Sequence, residues 1–85
     1  MLHLILKETF ENGFPVSRSQ AKKLCNEIKS YNEVAIDFSG IREIGQGFAH
    51  ELFVVFLREY PSVKITIKNE NLAIVKMINH VRQES

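Results

Sequence analysis

Asp37, Ser39, His50 and Glu51 fall within one short window of this 85-residue chain, and their types could do chemistry. A hydroxyl, an imidazole and a carboxylate can form a nucleophilic relay in which the imidazole takes the hydroxyl proton and the carboxylate orients the imidazole. Ser39, His50 and Asp37 would then make a small hydrolase or nucleotide-binding domain. The relay requires hydrogen-bond reach between hydroxyl and imidazole. The helical period described below puts His50 one turn into a helix, and nothing in the sequence brings it to Ser39. Residues this common also meet in short windows by chance. No catalytic residue is therefore assigned, and no enzymatic activity is expected. Metal chemistry is not expected either, because the chain has one cysteine and no Cys or His pair at ligand spacing. Nothing calls for a cofactor.

The same window offers a binding chemistry. Gly45-Gln46-Gly47 opens a helix. A helix amino terminus presents unpaired backbone N–H groups and the positive end of the helix dipole. Glycines there let another group approach the backbone closely. In open α/β sheets, ligands bind beyond the carboxyl ends of the strands. That is where Asp37, Ser39, Gly45, Gln46, Gly47, His50 and Glu51 are expected to gather as a partner-binding surface. The plainer alternative is that the glycines only make a tight strand-to-helix turn.

The elements that must position these residues follow from the hydrophobic pattern. Val34-Ala35-Ile36 and Phe38 are a short apolar run, as in a strand covered by other elements. Ser39-Gly40 is a turn signal, and Ile41 and Ile44 pin the connection on either side of Arg42-Glu43. From Phe48, the residues Ala49, Leu52, Phe53, Val55, Phe56 and Tyr60 recur at helical spacing, until Tyr60-Pro61 ends the helix. Upstream, Leu2 to Leu6 is a first strand that could extend to Thr9, with both faces partly covered. A turn signal follows at Phe10-Glu11-Asn12-Gly13, and Phe14-Pro15-Val16 could add a short edge strand. Ser17 caps a helix with Ala21, Leu24, Cys25, Ile28 and Tyr31 on its apolar face. Arg18, Lys22 and Lys29 fall together on the opposite side, as a solvated face or a secondary basic surface for an acidic partner. Downstream, Val63 to Lys68 alternates strictly, as in an edge strand with one buried face. Asn69 or Asn71 caps the last helix. Its core stripe is Leu72, Val75, Ile78 and Val81, widened by Ala73, Ile74 and Met77. The order βαβαβα implies right-handed crossovers and a mainly parallel sheet of three to four strands, in one domain over residues 1–85.

Composition bounds the function classes. A formal net charge of +1 argues against nucleic-acid binding held by phosphate contacts. Arg18, Lys22, Lys23 and Lys29 come with no aromatic platform. No apolar run approaches the length that spans a bilayer, and no leader pattern opens the chain. The single Cys25 sits on an apolar helix face, so it reads as a core thiol in a protein of the reducing cytoplasm.

IDFSGIREIGQGFAHEL, preceded by SRSQAKKL, resembles the STAS-like domains, relatives of the sulfate-transporter and anti-sigma-factor-antagonist domain. The resemblance covers about Val16 to Phe56. It implies an α/β domain and a small cytoplasmic regulatory protein of bacteria that docks on a partner protein. The implied partner is a histidine-kinase-like ATPase, or the product of a neighbouring gene in a two-gene module such as a toxin–antitoxin pair. Relatives carry Asp-Ser-Ser-Gly at the helix start, with a serine that a partner kinase phosphorylates. The matching positions here are Gly45, Gln46, Gly47 and Phe48, and none has a hydroxyl. The resemblance therefore implies docking at this helix start without that phosphorylation site, Ser39 being the nearest hydroxyl. His50 departs from the acidic residue of STAS-like relatives.

Overall fold

Val34 and Ile36 lie at the middle of the molecule, fully buried in the central strand of a three-stranded sheet. The computed structural model describes residues 1–10 and 14–84. The strands are β1 (Leu2–Ile5), β2 (Glu33–Asp37) and β3 (Lys64–Lys68), in the order β1-β2-β3 and all parallel. The helices are α1 (Leu6–Thr9), α2 (Arg18–Ile28), α3 (Gln46–His50), α4 (Phe56–Glu59) and α5 (Leu72–Gln83). A π-helical stretch, Glu51–Val55, joins α3 to α4, so that 46–59 is one continuous central helix. The architecture is therefore α/β, with helices packed on a parallel sheet.

Register explains the layers. Leu2, Val34 and Ile65 lie side by side, as do Leu4, Ile36 and Ile67, and these rows face the helices. The alternate rows, His3–Ala35–Thr66 and Ile5–Asp37–Lys68, lie on the other face. In β1 and β3 those residues are exposed, so each edge strand has a single covered face, in β1 as well as in β3. The central helix packs against both α2 and α5, which buries it on two sides. Phe48, Ala49, Leu52, Phe53, Val54 and Phe56 are all buried, and so is the charged Glu51. Burying a phenylalanine fully, as at Phe38 and Phe48, contributes about 1.5–3 kcal/mol each.

Several expectations change. β1 ends at Ile5, because its partner β2 ends at Asp37 and turns away. Leu6 to Thr9 forms one helical turn instead, closed by the Phe10 N–H donating to the Leu6 carbonyl at 2.9 Å. Phe14–Val16 is not a fourth strand, since the Pro15 and Val16 carbonyls are taken by the start of the central helix and the Phe14 carbonyl by Gln20. Tyr31 leaves the apolar face of α2 and is 43% exposed. In α5 the stripe is Ile74, Ile78 and Val81, while Leu72 turns outward at 67% exposed and Val75 is half-buried. The turn signal at 11–13 lies outside the described residues.

Candidate docking surface at the carboxyl edge of the sheet

The carboxyl end of β2 runs directly into a turn. The Ile41 N–H donates to the Phe38 carbonyl at 2.9 Å. Gly40, third in that turn, sits at φ +79°, the left-handed conformation that a type II turn assigns to glycine. Asp37 braces the turn: its Oδ1 accepts from the Ser39 N–H at 2.8 Å and from Asn69 Nδ2 at 2.9 Å. Asn69 follows β3 and is itself left-handed, at φ 57°. These bonds, the Asn69 amide foremost, hold the Asp37 carboxyl below its ordinary value. Asn71 fastens the next stretch. Its Oδ1 accepts from the Ile74 N–H and caps α5, while its Nδ2 donates to the carbonyls of Arg42 at 2.8 Å and Ile41 at 3.4 Å. The connection is thus pinned at the buried Ile41 and Ile44, with Ser39, Gly40, Arg42 and Glu43 exposed.

The start of the central helix is not open. The Gly45 N–H donates to the Pro15 carbonyl at 2.9 Å, and the Phe48 N–H to the Val16 carbonyl at 3.1 Å. A side chain on Gly45 would overlap the Val16 carbonyl, and one on Gly47 would come within 3.3 Å of the Arg18 N. The glycines are therefore explained by the close passage of the 14–18 segment. Gln20 shapes that segment: its Oε1 accepts from the N–H groups of Val16 and Ser17 at 2.8 and 2.9 Å, and its Nε2 donates to the Phe14 carbonyl at 3.2 Å. With Ser17 it forms a capping box on α2. Sequence reasoning cited Ser17 and passed over Gln20, although Ser-x-x-Gln is the spacing of that box.

Gln46 remains exposed at this edge, its Nε2 3.4 Å from Glu84 Oε2 at the end of α5. Beside it, in the segment bonded to the helix start, Phe14 (50%) and Val16 (53%) are exposed apolar side chains, whereas the exposed Leu72 (67%) lies at the opposite end of α5 from Glu84.

The model of one protein family, the STAS-like domain of unknown function (DUF4325), matches residues 20–75. The chain belongs to this family. No curated protein and no solved structure gave a significant match.

Within this STAS-like domain, the chemically suggestive residues are not assembled into a relay. The Asp37 carboxylate engages the main chain of Ser39 and the Asn69 amide. His50 is half-buried in α3. Glu51 is buried at the start of the π-helical stretch, its Oε1 3.7 Å from Arg18 Nε. The structure thus brings Asp37 and Ser39 together. It also brings Gln46 beside the 14–16 segment, and it directs Glu51 toward α2. Arg18, Lys22 and Lys29 are exposed. They run along the flank of α2 that faces the central helix, with Lys22 and Lys29 lining a cleft shared with Glu51 and Glu59. Cys25 lies in the same cleft, and burial, with Glu51 and Glu59 nearby, pushes its thiol up to about 12. It is a protonated core thiol at neutral pH. Among the described residues no group of His, Cys, Asp and Glu gathers to hold a metal ion, and no helix is long and apolar enough to cross a membrane.

Proposed function

We propose that this STAS-like domain is a regulatory protein-interaction module of the bacterial cytoplasm, docking a partner protein with the carboxyl edge of its sheet and acting by binding, not catalysis. One observation carries the reading: Phe14 and Val16 are each at least half exposed in the segment bonded to the helix start that carries Gln46. They are held there by Gln20 and by the N–H groups of Gly45 and Phe48 at the helix start. Apolar side chains on a fixed surface gain burial when a partner covers them, and the Gln46 amide can donate and accept beside them. The partner is a histidine-kinase-like ATPase or the product of a neighbouring gene, including the second protein of a toxin–antitoxin pair.

Calorimetric titration of the neighbouring-gene products tests this, with thermal melts alongside. Gln46→Ala should weaken binding by about 1–3 kcal/mol, the usual cost of leaving a buried hydrogen-bonding group unpaired. Phe14→Ser should reduce binding further, and both variants should melt like wild type. If all three proteins bind a partner equally well, the carboxyl edge is not the interface.

A further inference from the structure

The carboxyl-edge reading leaves the surface of α2 unexplained. Arg18, Lys22, Lys23 and Lys29 lie on or directly after this helix, with Glu27 as the single acid among them. One helix thus carries more positive charge than the formal +1 of the whole chain. Exposed lysines need no partner, and Lys29 at the carboxyl end suits the dipole, but the amino-terminal half of the helix is unfavourably charged. Arg18 sits in the first turn, with no acidic residue there, at the end where the dipole disfavours cations. Arg18 and Lys22 are an i,i+4 pair of like charge, which destabilises a helix. Glu51 and Glu59 stand across the cleft from Lys22 and Lys29, yet among the described residues only Arg18 closes an ion pair with either, at 3.7 Å.

The shape beside these charges is specific. α2 is a ridge between two clefts, of about 270 Å³ and 360 Å³. The first is lined by Phe56 and Tyr60, whose rings stack 5.1 Å apart, and rimmed by Lys22 and Lys29. The second contains Phe10 and Leu24, with Lys23 and Glu27 in its lining.

We infer that the α2 ridge is a second docking surface, fitted to an acidic segment of a partner protein. Its carboxylates meet Lys22, Lys23 and Lys29, and one apolar side chain enters the Phe56–Tyr60 cleft. Charge complementarity selects the sign of the partner. The carboxylates of Glu51 and Glu59 in the same cleft select a polypeptide, which spaces its charges, over a nucleic acid, whose continuous phosphates they repel.

The test uses the full chain and a short poly-L-glutamate peptide with one central tryptophan. The protein has no tryptophan, so peptide fluorescence reports binding and amide NMR shifts locate it. Shifts are expected at Lys22, Asn26, Lys29 and Tyr60, with affinity falling as salt rises. Lys22→Gln/Lys29→Gln should bind at least tenfold more weakly. Lys22→Gln alone should melt at or above the wild-type temperature, since it relieves the Arg18–Lys22 repulsion; a lower Tm would assign Lys22 a structural role and overturn the inference. Shifts spread evenly over the surface, wild-type binding by the double variant, or tighter binding of oligothymidylate of equal charge would each overturn it too. Gln46→Ala and Phe14→Ser should bind this peptide like wild type, so the two surfaces fail or stand separately.

Discussion

The Gly45 N–H donates to the Pro15 carbonyl at 2.9 Å, and this bond joins the start of the central helix to the segment that precedes α2. It depends on the bare glycine. Gly45 has an ordinary extended backbone, at φ −79°, so alanine meets no conformational barrier there. The obstacle is contact: a Cβ would overlap the Val16 carbonyl and lie 2.7 Å from the Val16 Cα. Overpacking against backbone costs about 1–3 kcal/mol or more. Gly45→Ala should therefore lower the urea midpoint clearly. Gly47→Ala would put a Cβ a tight 3.3 Å from the Arg18 N, a crowding that a gain in helix propensity of up to about 1 kcal/mol offsets, so it should be close to neutral.

Phe53 and Phe56 lie on the buried side of the central helix, at 5% and 3% exposure. Phe53→Ala and Phe56→Ala should each cost about 3–5 kcal/mol by chemical denaturation, most of the stability of a small domain. Losses below about 1 kcal/mol at both positions would contradict the buried face described here.

Asp37 makes stability depend on acid. Its carboxyl is held below the ordinary value by Asn69 and then by the Ser39 N–H. A carboxyl lowered in the folded state contributes stability above its unfolded value, near pH 3.9, and that contribution disappears as pH falls through the lower folded value. Urea midpoints measured from about pH 5 down to pH 2 should fall less steeply for Asp37→Asn than for wild type.

Cys25 behaves in the opposite sense. A thiol raised from 9.0 to about 12 on folding contributes stability below its unfolded value, and that contribution is lost as pH climbs from about 9 toward 12. At pH 8 the thiolate population falls roughly a thousandfold, so iodoacetamide should label the folded chain very slowly. Labelling in urea should proceed at the rate of a free thiol. Comparable rates in both would show that the cleft opens readily.

The sequence patterns that carried the fold were those with a local cause. Strict alternation located β3, the apolar run located β2, and the Phe48–Phe56 spacing located the central helix. What escaped was set by partners distant in the chain. Phe14–Val16 has the residues of a strand, but Gln20 and the start of the central helix take its carbonyls and the Val16 N–H. Leu72 belongs to a regular stripe, but Asn71 is bonded to the Ile41 and Arg42 carbonyls, and α5 presents Ile74, Ile78 and Val81 to the core instead. Of the candidate site, the position of Gln46 at an exposed edge was legible. The burial of Glu51 was not, because it follows from helices packing on both sides of one helix.

The strand order has a consequence for how the chain reaches this structure. Leu2 pairs with Val34, and Val34 with Ile65, so neither ladder forms without a helix-length loop closing first. Such non-local pairing slows folding relative to helical proteins of similar size. Until β2 arrives, β1 is a short apolar strand without a lysine, whereas β3 carries Lys64 and Lys68, and lysine guards an exposed strand against pairing with another chain. Refolding yield should therefore fall with protein concentration, and the amino-terminal strand is the place where chains would stick together.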